Sequence, residues 1–342
     1  MSNQRLESLP PTETLELDNG LSLLTRVKLL LTVNRADFSI KPLDEWLLKS
    51  SLCNFLKTSS IVVTEADIQL RRFKDIKKRK REDPVADGAL FIRDSNSLTK
   101  ALPSQASDVS DVMALERKFL DWRRSLVKKM DGIELNLEGT KFKLTVSMPK
   151  SDDLEGMRKE WEEFYAFGSR GHIRGGKHAP DTIVVRGLPS RWFAEPRVSA
   201  KPSMLVTHTI FSTFGKIRNI NVAEDHDLGK NGDEDILDIV SGLQCKIVVQ
   251  FEKEKDFCNA LRVLCGRSMQ KEGSSLRADY EVTWDKNEVF RNSRNESSQE
   301  KSSRLSTLPF SRDYRNEAPR NLFRQNLSGL SPENSRPKRF KE

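Results

Sequence analysis

The stretch from Asp181 to Phe193 constrains this chain most. Ile183, Val184 and Val185 are β-branched, and Gly187, Leu188 and Pro189 stop the run at once. That pattern is a buried strand delivered straight into a turn. Met204 to Phe214 then reads as a helix, with Leu205, His208, Thr209, Ile210 and Phe214 toward one side and Gly215 to end it. Ile217, Ile220 and Val222 make a second strand, and Ile247, Val248, Val249 and Phe251 a third. Asp256 to Cys265 is a second helix with Phe257, Ala260, Leu261 and Leu264 at core spacing, and Leu276 to Trp284 alternates as a last strand. The order over residues 180–284 is βαββαβ, the split βαβ arrangement of an α+β ferredoxin-like sandwich.

A second such order precedes it. Leu21 to Val33 reads as a strand, and Leu43 to Leu56 as an amphipathic helix with Trp46, Leu47, Leu52 and Phe55 as core candidates. Ser60 to Leu70 reads as a strand beginning at Ile61, and Ala89 to Ile92 as the next. Val112 to Met130 is a long helix with Leu115, Phe119, Trp122 and Leu126 on its apolar face. Ile133 to Val146 supplies one or two more strands. Residues 16–149 are therefore expected to form a more eroded sandwich of the same class, in tandem with the first, with a basic insertion at 71–84. A plain α+β domain without kinship to the first is the alternative.

The rest of the chain reads as a leader, a connection and a tail. Residues 1–15 read as a flexible leader. Residues 150–179 read as a helix from Leu154 to Phe167, then a basic linker containing Gly168, Gly171, Gly175 and Gly176. The tail from Asp285 to Glu342 carries 13 basic and 8 acidic residues and no apolar period, which predicts disorder. The net charge of +8 favours an anionic partner. No apolar run reaches the roughly 18 residues of a membrane span, and Ser2, Asn3 and Gln4 do not begin a secretory signal, so no membrane partner is expected. Cys53, Cys245, Cys258 and Cys265 form no CxxC pair, which argues for reduced thiols and against zinc. With no P-loop, nucleophile elbow or HExxH, the expectation is a protein that is not an enzyme and needs no cofactor.

RNA recognition motifs are built on this plan. They stack bases on one aromatic of the first strand and two of the third. The aligned positions here are Val184, Lys246 and Val248, so the platform is missing. Each lost stack forfeits ~1–3 kcal/mol. Arg186, Lys246, Asn219 and Asn221 remain on that face by alternation and are candidate RNA contacts. Arg191 and Trp192 follow the strand. Trp192 and Phe193 either stack bases beside the sheet or fold under the helix as core. Val184 and Val248 either line an RNA surface or sit beneath a helix or a protein partner. Glu224, Asp225, Asp227, Asp233, Glu234 and Asp235 form an acidic loop that repels phosphate on one edge.

Pro180 to Ile183, Gly187 to Ala194 and Phe214 to Ile220 together resemble the A-kinase anchor protein 17A family, also described as arginine/serine-rich splicing factor 17A. The likeness is densest over 180–284 and ordered alike, more weakly, over 16–165. It implies a nuclear protein of splicing speckles that affects pre-mRNA splicing with splicing-factor proteins as partners. The family's kinase anchoring runs through a long charged helical region not seen here, so it is not carried over, and the chain looks like a short, plant-type relative. Lys77, Lys78, Arg79, Lys80 and Arg81 are read as a nuclear localisation signal for an import receptor, as RNA phosphate contacts, or as a solvated charge run; Arg336 to Arg339 is a weaker copy. Two functions stand: a nuclear protein that binds single-stranded RNA weakly and regulates splicing, or a protein-interaction scaffold built on a degenerate motif.

Overall fold

Two sequence runs that alternate like single strands are each broken at a charged residue, and the two breaks meet. The computed structural model describes residues 6–290 apart from 38–42, 74–79, 81–82, 95–108, 169–178, 196–200, 226–242 and 287–288. In chain order the regular elements are β1 (Leu15–Leu17), β2 (Leu21–Thr25), β3 (Val27–Arg35), α1 (Glu45–Thr58), β4 (Ile68–Arg72), β5 (Ala86–Ile92), α2 (Val109–Met130), β6 (Glu134–Leu137) and β7 (Thr140–Ser147). There follow α3 (Leu154–Gly168), β8 (Thr182–Pro189), α4 (Met204–Ser212), β9 (Ile217–Glu224), β10 (Gln244–Phe251), α5 (Glu254–Leu264), β11 (Arg267–Lys271), β12 (Arg277–Ala278) and β13 (Glu281–Trp284).

Three antiparallel sheets result. The first runs β4-β5-β3-β7-β6 and the second β13-β8-β10-β9. Numbering the four strands of each βαββαβ unit, both sheets have the order 4-1-3-2, which is compatible with RRM-like folds. The first sheet gains β6 as an extra edge through a tight hairpin, where Glu138 and Gly139 both take positive φ (48° and 81°). The third sheet, β1-β2-β11-β12, pairs the chain's beginning with the segment after α5. Its register sets Leu23 opposite Met269 and Met269 opposite Ala278.

The core lies in two clusters. One gathers β3, β5, β7, α1 and α2 around Leu29, Leu31, Leu52, Phe119 and Leu144. The other joins β8, β10, α4 and α5 through Ile183, Phe211, Ile247, Phe251 and Phe257, and takes in Leu6, Leu9, Leu15, Leu21 and Leu23 from the beginning of the chain. The expectation of a flexible leader over 1–15 is thus corrected for its described part. Leu6, Leu9 and Leu15 are buried, and the backbone around them is tied down by arginines. Arg267 donates to the carbonyls of Pro10 (2.9 Å) and Glu13, and Arg262 donates to that of Leu6. Burial pulls the Arg267 guanidinium down to about 10.

Local expectations fail where propensity met a different packing partner. Asp44 caps α1 by accepting from the Trp46 and Leu47 amides, but Trp46 faces solvent, and Leu48, Leu52, Cys53 and Leu56 form the buried face. Residues 61–64 are not a strand; the chain joins the sheet only at Ile68. On α4, Leu205, His208 and Thr209 are exposed, and Ile210, buried as expected, is joined by Thr207 and Phe211.

The run Leu21 to Val33 divides at Arg26 between sheets three and one, and Leu276 to Trp284 divides at Asp279 and Tyr280 between sheets three and two. Arg26, 1% exposed, joins the two breaks. Its Nη1 pairs with Asp152 at 2.6 Å and its Nη2 donates to the Tyr280 carbonyl at 3.0 Å. Its Nε lies 3.2 Å from Asp279 Oδ1, close enough for an ion pair though not aligned as a hydrogen bond. Arg93, at the end of β5, pairs with both Asp67 and Asp279. Phe91 lies beneath both guanidiniums, 5.9 Å from Arg26 and 4.5 Å from Arg93.

Candidate nucleic-acid interface

Strand alternation divides the second sheet into a core face and an outer face. Ile183, Val185, Ile247 and Val249 point into the core. The outer face carries Thr182, Val184 and Arg186 on β8, and Lys246, Val248 and Gln250 on β10. Pairing sets Val184 beside Val248, Arg186 beside Lys246, Asn221 beside Val248 and Asn219 beside Gln250. Arg186, Lys246, Asn219 and Asn221 are thus brought to one face.

That face is not an open platform. Val184 and Val248 are only 7% and 3% exposed, although they face away from the core cluster. At one end its polar groups bond one another. Asn219 donates to Gln250 at 2.6 Å, Gln250 donates to Asp181 at 2.8 Å, and Thr182 donates to the same carboxylate at 2.8 Å. At the other end Arg186 stands 3.8 Å from Asp225, a buried carboxylate that draws on its charge. Lys246 is half-buried and Asn221 exposed.

The loop after β8 divides the remaining candidates. Trp192 and Phe193 are buried, with Phe193 stacked on Phe211 at 6.4 Å between ring centres. The placement of Trp192 among RNA contacts is corrected: its ring lies in the core, and its carbonyl accepts from Asn19 of the third sheet's hairpin. Arg191 is exposed. Gly187 takes φ +89°, a conformation that strains any other residue, so the turn favours glycine. Of the basic cluster only Lys80 is described; Lys77, Lys78, Arg79 and Arg81 lie outside the described residues, as do Asp227, Asp233, Glu234 and Asp235. Lys80 is exposed, at the edge from which β5 begins.

Burial raises all four thiols above the ordinary cysteine value. Burial pushes Cys245 and Cys265 up to about 12, and the Asp225 and Asp152 carboxylates add to the respective shifts. All four cysteines are free. Among the described residues no group of three or more His, Cys, Asp or Glu side chains could hold a metal ion, and no helix is long and apolar enough to cross a membrane.

A basic and apolar surface that the sequence did not single out lies on the first sheet. Its outer face presents Lys28, Leu30, Gln69 and Arg71 to a cleft of about 800 Å³, whose opposite wall is Gly187, Pro189, Gln244 and Arg277. Only the order of the strands in space brings these two sets together.

Comparison with known proteins places this geometry. The chain is 26% identical to A-kinase anchor protein 17A of Homo sapiens over 175 residues, covering 47% of this chain and 25% of that protein. The chain thus spans about a quarter of the length of the curated relative it matches. Residues 115–324 match the family described as AKAP-17A-like, RNA-binding domain. That span takes in most of α2, the β6–β7 hairpin, α3 and the whole second sheet, more than half of the 342 residues, and the chain therefore belongs to the AKAP-17A-like RNA-binding domain family.

Proposed function

We propose that this chain binds single-stranded RNA in the nucleus and takes part in pre-mRNA splicing. The observation that carries the reading is the family match over residues 115–324, whose description is an RNA-binding domain. The net charge of +8 and the basic residues on both sheets support it. Without aromatics at Val184, Lys246 and Val248, charge supplies most of the affinity, and charge does not distinguish bases.

Titration of the full chain against fluorescein-labelled oligouridine and oligoadenosine at several salt concentrations tests this. Affinity is expected to fall steeply and linearly on a logarithmic salt scale, with a slope of about 0.7 per phosphate contacted. The two RNAs are expected to bind about equally. Absence of binding to either at low salt would overturn the reading. It would favour the second one, a protein-interaction module in splicing complexes, which the burial of Val184 and Val248 on the second sheet's outer face supports.

Nuclear entry rests on the basic cluster. Replacing Lys77, Lys78, Arg79, Lys80 and Arg81 together with alanine in a fluorescent fusion is expected to shift the protein toward the cytoplasm. Five adjacent like charges repel one another, which suits a receptor-read address. Unchanged nuclear accumulation would move the import function elsewhere.

A further inference from the structure

We infer that single-stranded RNA binds in the cleft between the outer face of the first sheet and the turn end of the second sheet, not across the outer face of the second sheet. The inference rests on the RNA-binding reading and says where on this chain the strand lies.

Charge is the first reason. Register places Lys28 and Arg71 with Asp87 on the part of the first sheet's outer face that lines the cleft, and Asp279 is a carboxylate of the opposite wall; Lys141 and Lys143 lie with Glu134 on the same outer face but outside the lining. Across the cleft Arg277 adds an exposed guanidinium. Lys28 pairs with Glu281 and Arg71 with Asp87, each at 3.4 Å, and Asp279 of the cleft lining is held by Arg26 and Arg93, so Arg277 carries the lining's surplus positive charge. Arg71 also lies 5.5 Å from the Phe73 ring, and Phe73 opens the basic insertion.

Apolar exposure is the second reason. Leu30 is 37% exposed at the centre of the first sheet's outer face, and Leu276 is 57% exposed on the opposite wall. Bases have apolar faces, and a strand running between these walls can cover both leucines while its phosphates meet Arg71 and Arg277. Aliphatic contact of this kind is sequence-tolerant, as charge is.

Rigidity is the third. Arg93 grips Asp67 of the first unit and Asp279 of the second wall, so the two walls stand at a fixed separation before any ligand arrives. A preformed cleft avoids the ordering cost of binding. Its volume of about 800 Å³ suits a ligand and not a packing defect. The rival surface lacks the apolar exposure: Val184 and Val248 are buried, and Asn219 and Gln250 bond each other, while Arg186 beside Asp225 is paired no less than Lys28 and Arg71 are. The cleft-lining residues of the first wall, from Lys28 to Phe91, lie outside the matched span 115–324 and those of the second wall inside it, so family likeness alone does not point to this cleft.

The test uses the full chain, fluorescein-labelled oligouridine and three charge substitutions on exposed residues. Arg71→Glu and Arg277→Glu are each expected to weaken binding about tenfold at low salt and to flatten the salt slope by roughly 0.7. Asn221→Glu, on the outer face of the second sheet, is expected to change affinity less than about twofold, since no phosphate runs there. Unchanged thermal melting confirms that each variant folds. If Asn221→Glu weakens binding and the two arginine variants do not, the RNA lies on the second sheet; the cleft assignment is then wrong while the RNA-binding reading stands. If the wild-type chain binds no RNA at low salt, both fall, and the cleft is left to a protein ligand.

Discussion

Arg26→Ala is expected to destabilise the folded chain by ~3–5 kcal/mol, the cost of leaving a buried charge without its partner. Asp152 is 2% exposed, and the removed guanidinium is its ion-pair partner at 2.6 Å. The Tyr280 carbonyl loses a donor at the same time. Tyr280 is itself fixed by its hydroxyl, which donates to the Leu264 carbonyl at 2.8 Å, so the disturbance reaches α5. A buried pair is not intrinsically stabilising, because desolvating two ions offsets much of their attraction. The double variant Arg26→Met with Asp152→Leu should therefore lie closer to wild type than Arg26→Ala does. Urea unfolding followed by tryptophan emission measures both. A loss below about 1 kcal/mol for Arg26→Ala would mean that water reaches Asp152 and solvates it. A double variant less stable than the single would mean that the pair contributes through more than charge.

The same residue shows what a sequence can and cannot reveal. Leu21 to Val33 alternates well enough to read as one strand, and Arg26 looks like an interruption to be tolerated. In the structure the interruption is the organising point. Alternation reports which side of a strand is buried, not which sheet the strand joins, so nothing in the pattern separates β2 from β3. The run Leu276 to Trp284 fails in the same way at Asp279. Each break is explained by the other, and they lie some 250 positions apart in the chain, where periodicity carries no information. The leader was misread for a related reason. Leu6, Leu9 and Leu15 are too sparse to predict a core element, and their partners Arg262 and Arg267 come from the far end of the described chain.

The second sheet was more legible because its contacts are set by pattern. Ile183, Val185, Ile247 and Val249 alternate with Val184, Arg186, Lys246 and Val248, and the register keeps each set on one face. The sequence could therefore place Arg186 and Lys246 on one face and show that stacking aromatics were missing. It could not show that Arg186 stands beside Asp225, or that Trp192 turns into the core. Those depend on how the turn after β8 packs against α4 and the third sheet's hairpin. Nor could it show the cleft, whose walls come from two units and whose cations are scattered from Lys28 to Arg277.

Phe251→Ala should cost ~3–5 kcal/mol, the range for deleting a fully buried phenylalanine and leaving its cavity. Phe251 ends β10 with no exposed surface, inside the cluster that joins β8, β10, α4 and α5 to the beginning of the chain. Its amide donates to the Asp181 carbonyl at 2.8 Å, which holds the backbone in place and limits collapse around the void. The register makes the prediction selective. Between Gln250 and Phe251 the pairing with β9 is irregular, shifting from Asn219 to Ile217, and Phe251 still points to the core. Val248→Ala, on the opposite face, removes only two methyl groups and should cost roughly 1–2 kcal/mol less than the phenylalanine change on the same packing scale. Because β1 and β2 tie the beginning of the chain to β11, the loss should appear in one cooperative transition rather than in the second sheet alone. Emission of Trp122 in α2, isolated by replacing the other four tryptophans with phenylalanine, should then shift with the same midpoint as far-ultraviolet dichroism. Separate midpoints would mean that the two units unfold independently, and a cost under about 1 kcal/mol for Phe251→Ala would place that ring outside the core.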